Sequence, residues 1–248
     1  MNNILVSLPY PFVKCIELNR KHKKNALTQE LMEELALEIE SFENSEDKLL
    51  ILTGGPDFFS AGVDLNEFVG ETQSSMRAKD KIGKLWSRLG ECSKPVLGKV
   101  SGMALGGGFE LLLMCDLVVA DESAFFGFPE LFVGTIPGLG GTQKLPQMIG
   151  KSLAFDMFLT KRFLSAHEAL AKGIVSSVVS ADSLDQKIEE MAKSITHHPL
   201  DLLKTLKKAV GFGLRAHFEN LDFEKNLFYK TFDTPYQKDC LERFLKKD

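Results

Sequence analysis

Residues 101–142 read SGMALGGGFELLLMCDLVVADESAFFGFPELFVGTIPGLGGT, and the fold turns on this stretch. Gly106-Gly107-Gly108 opens an apolar run from Phe109 to Cys115 with the character of a buried helix, and Asp116 to Ala120 after it is β-branched enough for a strand. Glycines ahead of a helix let the backbone approach a ligand, while the first N–H groups and the positive dipole end favour an anion or a developing oxyanion. ALGGGFE matches neither GxGxxG nor GxxxxGK[ST], which weighs against a nucleotide phosphate cradle. The plainer reading is that the glycines only let a strand and a helix pack closely.

Two glutamates accompany the glycines. Glu110 lies in the first turn of the helix among Phe109, Leu111, Leu112, Leu113 and Met114. An unpaired buried carboxylate is costly, so Glu110 is expected to be paired, water-linked or functional, unless it only complements the dipole. Glu130, in AFFGFPELFVG, precedes Gly138 by eight residues. Desolvation there favours the neutral, proton-donating form; the alternative is a surface glutamate in a first helical turn after proline. Pro137-Gly138 and Gly140-Gly141 form a second loop able to bring an N–H near Glu130. Amide donors with two carboxylates suit chemistry that combines an oxyanion with proton transfer.

Working outward, VSL and FVKCIEL around Pro9 and Pro11 read as a hairpin, and Thr28 as the N-cap of a helix carrying Leu31, Met32, Leu35, Ala36, Ile39 and Phe42. Lys48 to Thr53 is a buried parallel strand leading into Gly54-Gly55-Pro56. Ser75 to Leu89 is helical with Trp86 on its packed face, and PVLGKVSGMAL reads as one further buried strand. Ala124 to Phe128 is a short strand, Leu153 to Thr160 and Ser165 to Lys172 are helices, and the chain is helical from Ser183 onward. Alternation of β and α gives an α/β protein: a repeated ββα core over residues 1–180 and a helical part over 181–248.

A chain of 248 residues with 44% hydrophobic content fits one domain with one or two cores. Net charge of −4 argues against nucleic acid as the main partner. Cys15, Cys92, Cys115 and Cys240 lack CxxC spacing, as expected in a reducing compartment. The N-terminus lacks a secretory pattern, and no run approaches the roughly 18 apolar residues of a spanning helix. A soluble, cytoplasmic protein is expected. His22, His167, His197, His198 and His217 show no metal-binding spacing, so no metal is expected.

FSAGVDL, the stretch from Lys94 to Gly150, and LTKRFLSAHEALAKGIV resemble the crotonase, or enoyl-CoA hydratase/isomerase, superfamily, from about Leu5 to Val179 and more loosely beyond. The resemblance implies a spiral of ββα units, a homotrimer or dimer of trimers formed through residues 181–248, and an acyl-CoA thioester as substrate with no metal or redox cofactor. It implies an oxyanion hole from the N–H groups of Val63 and Gly107, with Glu110 and Glu130 holding the attacking water and Gly138 helping to place it. Lys24, Ala26, Leu27, Ala61, Asp64 and Leu65 fall where the family contacts coenzyme A, and Phe244 and Lys247 where an adjacent subunit's tail does. Phe109 stands where Cys or Ser is common and would either narrow the acyl pocket or fill a packing gap; the 19 phenylalanines read mainly as core and trimer packing, with Phe68, Phe126 and Phe128 as candidates to line the acyl pocket. Asp239-Cys240 replaces a frequent Glu-Gly in the tail.

The leading expectation is hydration of a trans-2-enoyl-CoA to the 3-hydroxyacyl-CoA. The alternatives are Δ3-Δ2 isomerisation or another enolate reaction, a non-catalytic acyl-CoA-binding protein, and an RNA-binding relative using Lys204, Lys207, Lys208 and Arg215.

Overall fold

The computed structural model describes residues 2–78, 88–215 and 221–246; Trp86, His217 and Lys247 lie outside them. Strands β1 (Ile4–Tyr10) and β2 (Val13–Leu18) form the expected antiparallel hairpin. Helix α1 (Gln29–Glu43) starts at Thr28, whose hydroxyl accepts the Leu31 N–H at 3.3 Å, and it buries the six apolar residues whose spacing predicts it. Then come β3 (Leu49–Thr53), α2 (Gln73–Ala78), β4 (Val96–Val100), β5 (Met103–Leu105), α3 (Gly107–Leu112), β6 (Leu117–Asp121) and β7 (Phe125–Gly127). A 3-10 turn at Glu130–Val133 leads to α4 (Gly141–Ile149), α5 (Lys151–Thr160), β8 (Leu164–Ser165), α6 (Ala166–Ala171) and β9 (Ser177–Val179). Among the described residues four helices follow: α7 (Leu184–Thr196), α8 (Leu200–Arg215), α9 (Leu221–Thr231) and α10 (Pro235–Leu245).

The main sheet runs β1-β2-β3-β4-β6-β9 and is parallel apart from β1; a second sheet runs β5-β7-β8. PVLGKVSGMAL is therefore two strands, not one. The chain leaves the main sheet at Ser101-Gly102, where Gly102 takes φ +57° and a Cβ would stand 2.2 Å from the Asp57 carbonyl oxygen. The step recurs from β6 to β7, so β4-β5-α3 and β6-β7 with its following turn are successive copies of one ββα unit. An isolated bridge between Ser60 and Ala104 places the segment after β3 beside the second sheet as well.

The largest core lies between the main sheet, α1, α3 and the second sheet. The other face of the main sheet, Val13, Leu49, Ile51, Leu97 and Val119, is covered by Leu184, Ile188 and Ala192 of α7. A third cluster joins Phe68 and Met76 to Tyr229, Phe232 and Leu241, with Val63 and Leu65 packed on it. Thus α9 and α10 come to lie against the loop that carries Val63.

Candidate active site

Val63 belongs to a loop held from several sides. The Ser60 hydroxyl donates to the Asn25 carbonyl at 2.8 Å and accepts the Gly62 N–H at 3.1 Å. Asn25, fully buried, donates its amide to the carbonyls of Gly54 at 2.8 Å and Phe59 at 3.1 Å. Residues 24–27 and 61–64 then pair as a short parallel ladder: Leu27 N–H donates to Gly62 O at 2.8 Å, Asp64 N–H to Leu27 O at 2.9 Å and Ala61 N–H to Lys24 O at 2.9 Å. Successive groups along an extended chain face opposite ways, so this pairing uses Gly62 and Asp64 and turns the Val63 N–H outward.

Arg20 locks the loop's far end, with two guanidinium N–H groups at 3.1 Å from one Asp64 oxygen. Burial alone would raise the Asp64 carboxyl, but the Asn66 backbone and side chain and the Arg20 guanidinium outweigh it and hold the group below its ordinary value. Of the other residues assigned to coenzyme A, Lys24 is exposed, Leu27 is buried, Ala26 and Ala61 are half-buried in the paired segments, and Leu65 is half-buried in the 3-10 turn after them. Phe244 is half-exposed on α10.

Gly107 reaches the same place from the second sheet. Gly106, at φ +49°, donates its N–H to Gly127 O at 2.9 Å and starts α3 with no side-chain cap. A Cβ on Gly107 would lie 3.6 Å from the Val63 nitrogen, and one on Gly62 would lie 3.5 Å from the Gly107 nitrogen. The two N–H groups are neighbours, and among the described residues neither donates a hydrogen bond.

Glu110, one turn along α3, is 2% exposed, and its Oε1 accepts the N–H groups of Leu139 at 2.9 Å and Gly141 at 2.8 Å. The sequence points the second glycine loop toward Glu130; these two amides go to Glu110 instead. The reason is α4, which starts at Gly141 and meets the Glu110 carboxylate with its N-terminus. The Glu130 Oε1 stands 2.8 Å from where a Gly106 Cβ would be, directly over the entrance to α3. At Gly138 a Cβ would meet the Phe228 ring of α9 at 2.6 Å. Val63, Gly107, Glu110 and Glu130 thus gather around the start of α3, and Gly138 precedes the Leu139 amide that Glu110 accepts.

Residues 11–248 match the family model for enoyl-CoA hydratase/isomerase. The chain belongs to the enoyl-CoA hydratase/isomerase family. It is 37% identical to the mitochondrial enoyl-CoA hydratase of Pongo abelii over 95% of this chain and 81% of that protein. It is 34% identical to the short-chain-enoyl-CoA hydratase of Clostridium acetobutylicum over 100% and 96%. The crystal structure of an enoyl-CoA hydratase/isomerase from Pseudoalteromonas atlantica superposes with a TM-score of 0.89 at 30% identity, covering 99% of this chain and 97% of that one.

In this enoyl-CoA hydratase/isomerase family member Phe109, Phe126 and Phe128 take the packing alternative. Phe109 turns into the largest core, its ring 5.4 Å from Phe126 and 5.0 Å from Phe128, and all three are buried. They pack the interior. Phe68 stands near the site, in edge contact with Phe228 and Phe232, and the Phe128 ring also reaches Gly141, beside the Glu110 carboxylate. Among the described residues no helix is long and apolar enough to cross a membrane, and no three His, Cys, Asp or Glu side chains gather as a metal site.

Lys144 on α4 donates to the Leu113 carbonyl at 2.9 Å, and burial lowers its amine from 10.5 to about 8. Below pH 8 both folded and unfolded chains are protonated and the desolvation cost is present in full. As pH rises from 8 toward 10.5 the folded state loses its proton first, so this group adds stability with pH. Relative to Lys144→Met, the wild type is expected to gain about 1 kcal/mol between pH 8 and 9, read from urea midpoints. Parallel profiles for the two proteins would show that the amine titrates normally.

Proposed function

We propose that this chain is an enoyl-CoA hydratase, adding water across C2=C3 of a trans-2-enoyl-CoA to give the 3-hydroxyacyl-CoA. The carrying observation is the meeting of two unengaged N–H groups, Val63 and Gly107, with two glutamates at the start of α3. In this reading the thioester oxygen accepts both N–H groups, which stabilise it as negative charge builds toward the enolate. Glu110 takes a proton from water as its oxygen bonds to C3, the C2=C3 electron pair moves into the enolate, and Glu130 delivers a proton to C2. Gly138 helps to place the water. The hydratases named above support this reading through their similarity to the chain.

We assign the coenzyme A moiety to Lys24, Ala26, Leu27, Ala61, Asp64 and Leu65, with the exposed Lys21–Lys23 turn beside them for its phosphates. Phe244 and Lys247 would approach it from an adjacent subunit. A homotrimer or dimer of trimers fits the apolar stripe Leu202, Leu206 and Val210 exposed on α8. A cytoplasmic setting fits four free cysteines.

The direct test is the loss of enoyl-thioester absorbance from crotonyl-CoA and longer homologues, with the 3-hydroxyacyl-CoA identified as product. Purified protein that leaves every homologue unchanged would sink the proposal. Gly138→Ala drives a methyl into the Phe228 ring and shifts the loop whose amides hold Glu110. It is expected to lower kcat roughly 10- to 100-fold while the fold persists, since small misplacements of catalytic groups are that costly. Wild-type turnover would mean that the loop's position does not matter.

A further inference from the structure

Gln237 is a buried amide with no visible task. It is 2% exposed, and its Nε2 is shut off from solvent with no hydrogen-bond partner among the described residues. Such a donor is uncommon in a folded protein and calls for an explanation. The usual role for glutamine at this place in a helix is to reach back to the N-cap backbone N–H, completing a capping box. That N–H, of Thr234, is already given to the Thr231 carbonyl at 3.1 Å, while Thr234 Oγ1 accepts the Gln237 N–H at 3.2 Å. The cap is made without the side chain.

What Gln237 touches is the turn that carries Glu130. Gly134, at φ +82°, closes that turn, and a Cβ there would stand 2.4 Å from the Gln237 Cα. Three of the turn's carbonyls are already in use: Pro129 O accepts from Phe132 at 3.0 Å, Leu131 O from Gly134 at 3.2 Å and Glu130 O from Thr135 at 3.0 Å. The turn also carries the Glu130 carboxylate, whose Oε2 is shielded from solvent like the Gln237 Nε2. Two oxygens provide about four acceptor sites, so it can take a further donor whatever else it binds.

We propose that Gln237 is a positioning residue for Glu130, its amide donating to the Glu130 carboxyl and fixing its orientation once an acyl thioester occupies the site. This rests on Glu130 acting in the reaction proposed above. The unmade hydrogen bond is then a cost carried by the empty protein and recovered on loading, a familiar arrangement at functional sites.

Gln237→Met keeps the length and removes the donor. It is expected to raise the Tm of the empty protein by a few degrees, because no buried donor is left unmatched. The same variant is expected to lose about tenfold in kcat on crotonyl-CoA with KM within about twofold, and to change kcat less than about twofold in a Glu130→Gln background. Wild-type kcat in Gln237→Met, or a full tenfold loss added to that of Glu130→Gln, overturns the proposal. Should Gln237→Met fail to fold, Gln237→Asn, with the amide withdrawn by one carbon, is read by the same two criteria. Butyryl-CoA, which has no double bond to hydrate, separates this idea from the hydratase reading. If the wild type leaves crotonyl-CoA intact, the hydratase reading fails and Gln237 is judged on Tm shifts induced by butyryl-CoA: a smaller shift in Gln237→Met supports it, and equal shifts overturn it.

Discussion

Glu110→Gln is expected to lower kcat for crotonyl-CoA hydration by roughly 10²–10⁴-fold, the usual range for a positioned acid or base, while KM stays within a few-fold. The substitution is close to isosteric, and its carbonyl oxygen can still accept the Leu139 and Gly141 N–H groups at 2.9 and 2.8 Å. What it cannot do is take a proton from water. A merely structural Glu110, there to complement the N-terminus of α4, would give the opposite pattern. The urea midpoint would drop by the worth of weakened charge-assisted hydrogen bonds, about 1–2 kcal/mol, and kcat would hold. Measuring both on one preparation separates the two roles, and unchanged turnover removes Glu110 from the mechanism.

Glu130→Gln is expected to cost a comparable factor, roughly 10²–10⁴-fold in kcat, for a different reason: no proton is available for C2. The substitution is close to isosteric, so a KM held within a few-fold would show that misplacement is not the cause of the loss. The two variants part company on a 3-enoyl-CoA. Moving a double bond needs one group at C2 and C4 and no activated water, so Glu130→Gln is expected to abolish any such isomerisation. If Glu110→Gln spares it, the same scaffold runs both reactions. Hydration that survives Glu130→Gln would end its assignment as proton donor.

Much of the fold and of the site is legible in the amino-acid sequence, wherever the cause is local. Thr28 and the apolar period after it identify α1 because a cap and a helical repeat lie within a few residues of each other. Gly107 and Glu110 are legible together because a helix start and its first turn are contiguous in sequence. Hidden features depend on distant partners or on a misleading local sign. The break between β4 and β5 falls at Ser101-Gly102, a small step inside a largely apolar segment, and the approach of Asp57 to Gly102 marks it in three dimensions. Helix α4 carries Pro146 inside it, a residue that reads as a breaker, and so hides the helix that delivers the Leu139 and Gly141 amides to Glu110. Arg20 and Asp64 are 44 residues apart, and nothing in either neighbourhood announces the pair. Phe109 adjoins Glu110 in sequence, which suggests the acyl pocket; adjacency on a helix means different faces.

That last point bears on how the gene for such a protein can change. Helix α3 sends Phe109 into the interior and Glu110 to the α4 amides, and consecutive helical residues are rotated by about 100°. Adding a single codon among Gly106, Gly107 and Gly108 would place the Phe109 ring against the α4 amides and move Glu110 to the core position of Leu111, while removing one would put Leu111 against those amides and the acid where Phe109 packs. Substitutions can accumulate around this segment, but its length cannot drift.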